Sequence, residues 1–573
     1  MAVPLRRTRR YVMLLVLLGG FGIVLFRLVT LQVLQAAELT VKADRQHQKT
    51  VSLEGARGTI VDRNGKVLAM NLEVPSVFGV PTDVGSPAKT ARVLSPVLHV
   101  RANELEQKLR QDRRFVWLAR KLDPEQGRWF ERTRVEGIGV VMEGRRFYPK
   151  GPLLSHLLGF SGMDGQGLEG IERRYDTELQ GEKRVTVLQR DAKGRTVFSK
   201  GQQTEQAPAP GHRLVLTIDE VIQYIVEKEL DNAVVRAQAK SGTMIVLEPY
   251  SGALLALAVS PRFDPNVLSN LSPDRWRNRA LTDAYEPGST MKAILAAAAI
   301  EERVMKPDTL VFGEQGSMAI ASTVIHDHEK LGWLTFAQVI QKSSNIGAAK
   351  AGIALGDQRL YQYLQAFGFG ARTEIDLPGE ATGLLKSPKA WGRRTVASVS
   401  MGQEVGVTPM QMVTAIAAIA NGGQLMKPYV VSEIRDAQDE VKRQILPQVR
   451  RRVISPETAR AVTRILEGVV TDGTGGKAAI SGFRVAGKTG TAQKIDPRTG
   501  TYSDSKFVSS FVGYVPADNP RLAMIVVIDE PQGEAWGGAV AAPVFNRVGE
   551  QALSYLGVSS PEPVKLALAA SGP

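Results

Sequence analysis

The sequence predicts an α/β (α+β) protein with one helical membrane anchor, an irregular N-terminal module and a large mixed core. Three observations carry that prediction. Tyr11 to Leu34 is almost continuously apolar. Gln202 to Gly211, rich in Gln, Ala and Pro, reads as a linker and divides the chain by composition. After it, short β-branched runs with turn signals alternate with alanine-rich helical stretches. At 573 residues and 43% hydrophobic content, the chain is long enough for more than one core and too apolar to be disordered.

The anchor comes first. Tyr11 to Phe26 is unbroken, Arg27 interrupts, and Leu28 to Leu34 continues with only Thr30 and Gln32 as polar members. A bilayer needs roughly 20 such residues. Arg27 lies past the centre, where its stem lets the guanidinium reach the far interface. Arg6, Arg7, Arg9 and Arg10 precede the span and predict a cytoplasmic tail (1–10), a single-pass span (11–34) in the cytoplasmic (inner) membrane, and an extracytoplasmic or periplasmic remainder. A cleaved signal peptide is the competing reading. Its apolar region is usually only about 7–15 residues, and Gln35-Ala36-Ala37 is a poor cleavage site.

The net charge of +14 suits an anionic polymer, anionic lipid or nucleic acid. Export makes nucleic acid the least fitting of these. Cysteine is absent, which excludes disulfides and thiolate zinc sites.

Residues 35–205 read as the irregular module. Arg57 to Gly65 predicts a short strand ending in an Asn-Gly turn. Residues 101–135 are charge-rich with helical spacing. Arg145 to Pro149 opens a glycine-dense stretch running through Gly170-Ile171-Glu172. Glu172 is expected to pair with one of the arginines rather than to serve as an acid or a ligand.

The core, 206–558, begins with a helix over Val221–Ala239. Thr243–Glu248 and Ala253–Val259 flank Tyr250-Ser251-Gly252 as a hairpin. Lys292–Val304 and Asn345–Leu355 predict helices, and the alanines at 296–299 are expected to hold the first against a sheet. Phe507–Val515 and Leu522–Asp529 predict strands, and Ala541–Leu556 an amphipathic helix. Residues 559–573 read as a flexible tail.

The chemistry centres on Ser289 and Lys292, which follow Glu286-Pro287-Gly288 at the start of a helical run. Residues three apart share a helix face. A serine hydroxyl becomes nucleophilic when a neighbouring base takes its proton, and a buried lysine, kept neutral, is such a base. The positive end of the helix also disfavours a protonated Lys292. Spacing alone is weak evidence, because Ser86-Lys89 and Ser503-Lys506 repeat it among turn formers and charges. Two further motifs follow Ser289 in order. Ser343-Ser344-Asn345 offers a hydroxyl to relay a proton and an amide to hold a substrate carbonyl. Lys488-Thr489-Gly490-Thr491 lies in Val485–Gln493, expected to be an exposed strand. A peptide could add beside it, with Lys488 pairing a carboxylate, Thr489 or Thr491 binding oxygens, and Gly490 allowing close approach. The backbone N–H groups of Ser289 and Thr491 are candidates for an oxyanion hole.

Three features are set aside. Gly482 to Thr489 matches a phosphate-binding loop letter for letter, but Asp496-Pro497 to Gly500 breaks the helix that such a loop requires. Lys240-Ser241-Gly242 precedes the serine. His326-Asp327-His328 lacks further ligands for a metal and is taken as structural.

With these motifs in that order, the chain resembles the penicillin-binding proteins. Arg57 to Gly65, Tyr148-Pro149 and Gly170-Ile171-Glu172 resemble the non-catalytic pedestal of class B members. Asn278-Arg279-Ala280 through Ser289 resembles the approach to the nucleophile in the cell-division branch. Ala420-Asn421-Gly422-Gly423 and Val485 to Ala492 also fit. The resemblance implies a penicillin-recognising serine transpeptidase fold, an antiparallel sheet flanked by helices, on an elongated dimerisation-type pedestal. It implies a D,D-transpeptidase that cross-links peptidoglycan stem peptides during septal wall synthesis. Ser289 would attack the carbonyl between two D-alanines with Lys292 as base. Ser343 and Asn345 would complete the catalytic group, and Lys488, Thr489, Gly490 and Thr491 would bind substrate. No cofactor or metal is implied. β-Lactams would be covalent inhibitors, and a membrane glycosyltransferase and other divisome proteins the partners. No paired-acid glycosyltransferase motif lies between anchor and linker, which points to class B rather than class A. Other readings on the same scaffold are an elongation-specific transpeptidase, a D,D-carboxypeptidase or β-lactamase-type hydrolase, and a non-catalytic sensor.

Overall fold

The computed structural model describes residues 4–39, 42, 48–113, 115–190, 196–197, 208–269, 272–320, 323–496 and 498–560. It forms two compact units, Met1–Ala56 with Gly181–Pro210, and Arg57–Gln180 with Gly211–Pro573. Residues 202–207 of the expected linker and 561–573 of the expected tail lie outside the described residues.

In the first unit, helix Pro4–Val29 runs into a π turn at Thr30–Leu34. Thr8–Leu34 is long and apolar enough to cross a membrane. Strands Gln48–Glu54, Lys183–Arg190 and Thr196–Val197 form an antiparallel sheet.

The second unit opens with a strand, Ile60–Val61, shorter than the expected 57–65 segment. Asp62 Oδ1 accepts the N–H groups of Asn64 and Lys66, both at 2.8 Å, and closes the Asn-Gly turn. The long strand Val67–Gly79 follows and carries Ile138–Phe147 and Val116–Ala119 as antiparallel neighbours. Strand Val116–Ala119 corrects the helical reading of 101–135. Helices Ala102–Leu109 and Pro124–Arg132 flank it, but Val116-Trp117-Leu118-Ala119 gains a strand partner that local spacing does not reveal. Helix Pro87–Leu98 was not foreseen.

Glu172 is fully buried and does pair with arginine, with two of them. Arg57 Nε donates to one carboxylate oxygen at 2.7 Å, and Arg146 Nε to the other at 2.6 Å. The Tyr148 hydroxyl reaches it at 3.3 Å. Arg57 also bonds Asp176, and Arg146 the Gly58 carbonyl. One carboxylate thus ties together three segments that are remote in sequence, around Arg57, Arg146 and Glu172 itself.

The rest of the unit is built on a five-stranded antiparallel sheet. Its order is Leu254–Ser260, Ser241–Leu247, Leu522–Asp529, Tyr502–Val515, Ala486–Ile495. The predicted hairpin and strands are all present. Successive residues serve opposite cores. Met244 and Val246 pack with helices Glu220–Arg236 and Ala542–Tyr555. Ile245 and Leu247 pack into the larger core with Pro409–Ala420 and Pro456–Thr471. With both faces covered, the strands are apolar throughout rather than alternating. Helix Met291–Glu301 departs from expectation. Met291 to Ala299 are all buried, and the helix packs on Asn345–Leu355, Asp357–Ala366 and Pro456–Thr471 rather than lying on the sheet. Its alanines allow close approach on every side, not on one face.

Replacing Glu172 by alanine would leave two buried guanidinium groups without their counter-ion. We expect a loss of about 3–5 kcal/mol in stability, read as a lower midpoint in denaturant titration. Lys108→Ala, at a surface ion pair, should change it by less than about 0.5 kcal/mol.

Candidate active site

The nucleophile segment is held before the helix begins. Tyr285 and Val407 exchange backbone hydrogen bonds at 3.0 and 2.9 Å, and Gly288 N–H donates to the Gly402 carbonyl at 3.1 Å. Gly288 takes φ +53°, a backbone that favours glycine, and Gly288–Thr290 forms one 3-10 turn. Ser289 sits in that turn, half-buried, and lines a cleft of about 540 Å³ together with Ser343, Thr489 and Thr491. Lys292 follows in the first turn of Met291–Glu301 and reaches Ser343, which lines the same cleft.

Lys292 is fully buried. Its Nζ donates to the Ser343 carbonyl at 2.6 Å, to Asn345 Oδ1 at 2.8 Å and to Ser343 Oγ at 3.3 Å. Burial pushes its pKa down to about 7, partly offset by the negative charge of Asp327. Desolvation therefore outweighs the acceptors around it and brings the neutral amine within reach near neutral pH.

Ser343 joins helix Phe336–Gln341 to helix Asn345–Leu355 with φ +61°, a left-handed conformation that is uncommon for a side-chain-bearing residue. That twist presents both its carbonyl and its hydroxyl to Lys292. The same hydroxyl accepts from Lys488 Nζ at 3.1 Å. Asn345 accepts from Lys292 and donates through Nδ2 to the His326 carbonyl at 2.9 Å. Its amide is therefore engaged within the protein, more than the expected role of holding a substrate carbonyl requires.

Strand Ala486–Ile495 ends the sheet, so one of its edges has no strand partner among the described residues. It is an edge strand but not the exposed one expected. Lys488 and Thr489 are buried by the helices and the nucleophile turn packed against them. Lys488 Nζ bonds Ser343 Oγ and the carbonyl and hydroxyl of Thr489. Burial, with Lys292 close by, pushes its pKa well down. It thus faces Lys292 rather than open solvent. Thr489 Oγ1 shares a hydrogen bond with Thr474, and Thr491 Oγ1 accepts from Gly537 N–H at 3.0 Å.

Of the eight site residues named from the sequence, Ser289, Ser343, Thr489 and Thr491 line this cleft; Lys292 and Lys488 bond Ser343 from behind it, Asn345 bonds Lys292, and Gly490 lies between the two threonines. Lys488-Thr489 lies inside a strand with no helix after it, so the phosphate-loop pattern has no structural counterpart. Lys240 pairs with Glu530 at 3.4 Å at the surface. Among the described residues, no cluster of three acidic, histidine or cysteine residues could hold a metal. Ser86, Lys89 and Lys506 are exposed. The residues missed are Asp327, His328 and Trp536. Asp327 bonds Ser344 and lies in the cleft wall. His328 and Trp536 stack edge-on, with ring centroids 4.7 Å apart. The local His-Asp-His pattern suggested only a weak metal site, and nothing local marks Trp536.

Gly490 sets how closely the strand meets the nucleophile. A Cβ there would lie 2.9 Å from the Pro287 carbonyl and from Thr290 Cγ2, and 2.5 Å from Ser510 Oγ. We expect Gly490→Ala to push the Ser289 turn aside and slow covalent modification of Ser289 on the order of 10²-fold, measured by intact mass, with little change in melting temperature.

Residues 242–550 match the penicillin binding protein transpeptidase domain, and residues 52–216 the penicillin-binding protein dimerisation domain. Stage V sporulation protein D of Bacillus subtilis is 36% identical over 552 residues, covering 94% of this chain and 85% of the relative. Peptidoglycan D,D-transpeptidase FtsI of Escherichia coli is 32% identical over 541 residues, covering 93% and 89%. The solved structure of penicillin binding protein 3 from Mycobacterium tuberculosis complexed with aztreonam aligns with a TM-score of 0.70 at 28% identity, covering 90% of this chain and 99% of that one. A peptidoglycan synthetase from Bifidobacterium adolescentis gives 0.72 at 28%, covering 90% and 98%. With this fold, this site and these relatives, the chain belongs to the class B penicillin-binding proteins and is a serine-type transpeptidase.

Proposed function

We propose that this enzyme is a septal peptidoglycan D,D-transpeptidase, with Ser289 as nucleophile and Lys292 as its base. The observation that carries the assignment is Lys292 itself: buried, brought to a pKa of about 7, and bonded to Ser343, which lines the same cleft as Ser289. Ser289 Oγ attacks the carbonyl between the two terminal D-alanines of a donor stem while Lys292 Nζ takes its proton. The backbone N–H groups of Ser289 and Thr491 stabilise the oxyanion. The C–N bond breaks, and the departing D-alanine receives the proton, passed through Ser343 Oγ, which touches both lysines. An amine from a second stem then attacks the ester, gives its proton back along the same path and frees Ser289. The donor stem lies along the open edge of Ala486–Ile495, with Gly490, Thr489 and Thr491 against its backbone and Lys488 behind them on Ser343 Oγ. Asn345 fixes Lys292.

The substrate class is supported by the relatives named as peptidoglycan D,D-transpeptidases. The septal role is supported by the residues leading to Ser289 and by the likeness to FtsI. Helix Thr8–Leu34 serves as the anchor, with the four arginines before it in the cytoplasm. Residues 35–205 act as the pedestal, and 206–558 as the transpeptidase domain. A membrane glycosyltransferase of the division machinery is the partner.

Fluorescent penicillin should label the wild type covalently and leave Ser289→Ala unlabelled; labelling of that variant would remove Ser289 from its role. Neutral Lys292 is the active form, so acylation should rise with pH through about 7 and level off above it. Lys292→Met should lose on the order of 10²–10⁴ in rate. A stem-peptide donor with an amine acceptor should give cross-linked product; hydrolysed product alone would make the enzyme a carboxypeptidase. Depletion should yield filaments, whereas rounded cells would assign it to elongation.

A further inference from the structure

Of the chain's six tryptophans, Trp333 is the most exposed, at 68%. It opens strand Trp333–Thr335, which pairs antiparallel with Leu310–Phe312 so that Trp333 lies opposite Phe312 and Thr335 opposite Leu310. Alternation along the two strands sends Val311 and Leu334 into the large core and leaves Leu310, Phe312 and Trp333 on the outer face. There the Phe312 and Trp333 rings lie 5.2 Å apart, tilted by 47°. The Lys350 ammonium sits over the Phe312 ring at 5.9 Å and pairs with Glu314. Packing does not account for Trp333. Most of its surface is in water, and its indole N–H has no hydrogen-bond partner among the described residues. Trp391, by contrast, donates its N–H to the Lys386 carbonyl at 2.9 Å.

This face adjoins the catalytic cleft. Leu331 lines the cleft that Ser289 lines, and two residues of chain reach at most about 7 Å. The approach is fixed, since the Leu331 and Gly332 carbonyls accept the N–H groups of Gln315 and Gly313 at 3.1 and 2.7 Å. A stem of about five residues spans at most about 18 Å. The glycan that bears a stem held at Ser289 therefore passes near the cleft wall. We infer that Trp333 and Phe312 form a platform for the glycan strand that carries the stem peptide. This rests on peptidoglycan being the substrate. The apolar face of a sugar ring stacks on an indole, whose electron-rich face attracts the C–H bonds. The free indole N–H and the Lys350–Glu314 pair beside the rings serve hydroxyl and acetamido groups. Size separates a saccharide from a protein partner. Leu310, Phe312 and Trp333 together present roughly 300 Å², the footprint of a short saccharide, whereas a stable protein contact covers about 800 Å² on each side.

The test gives the full-length, detergent-solubilised enzyme two donors, a free stem peptide and the same stem on a glycan chain, with one amine acceptor. Trp333→Ala should raise KM for the glycan-borne donor on the order of tenfold with kcat held, and bring the two donors toward parity. Trp333→Phe keeps a ring face and should recover most of the loss; Trp333→Leu, equally apolar, should not. Glycan chains stripped of their stems by an amidase should bind the wild type and bind Trp333→Ala on the order of tenfold more weakly, measured by surface plasmon resonance. Equal loss on both donors, no binding of stripped glycan to the wild type, or full recovery by leucine would overturn the inference. So would a Trp333→Ala enzyme that handles glycan normally but loses the membrane glycosyltransferase in a pull-down, which would make the face a protein contact. A wild type that cross-links neither donor counts against the transpeptidase reading instead, and stripped-glycan binding then still decides the platform.

Discussion

Removing one ammonium group from water is the constraint on which the site depends. Lys292 has no solvent exposure, and burial moves its pKa from that of an ordinary lysine to about 7. The cost of keeping a charge there is what makes the amine available as a base. Much of the surrounding structure maintains that burial. The helix bearing Lys292 is enclosed by several others, its alanines let them approach, and the edge strand contributes a second buried lysine close by. Burial, and after it the charge of the neighbouring Lys292, push the Lys488 pKa well down in turn.

Such a site tolerates little slack, and the backbone reflects this. Ser343 holds a left-handed conformation that gives Lys292 two acceptors from one residue. Gly490 brings a strand within van der Waals contact of the nucleophile turn, where any side chain would intrude. Loops whose own sequences look unremarkable supply the outer support, as Asp327 does in bonding Ser344. Strain at Ser343 persists because the structure around it specifies the turn from several directions at once.

The N-terminal part of the second unit solves a different problem with related physics. Glu172 is as buried as Lys292, but two arginines and a tyrosine satisfy it. There burial serves to join segments, since removing one partner strands the others. At Lys292 the partners are a carbonyl, a hydroxyl and an amide oxygen rather than a bonded carboxylate, and burial lowers the pKa. A buried charge that is fully paired is structural, while one that is under-paired beside a cleft is chemical.

The sequence by itself determined the span near the N-terminus, the hairpin and strands of the large sheet, the paired state of Glu172 and the family to which the ordered motifs belong. Each of these rests on local pattern: an apolar run, strand-length periodicity, or ordered motifs whose chemistry needs serine, lysine and asparagine together. The tertiary structure alone decided that Val116–Ala119 is a strand, that the edge strand is buried, that Asn345 is turned toward Lys292, and that Asp327 belongs to the cleft. Those facts depend on contacts between segments far apart in the chain. The desolvation of Lys292 is the clearest case: it is a property of everything packed around the amine, and no local run of residues encodes it.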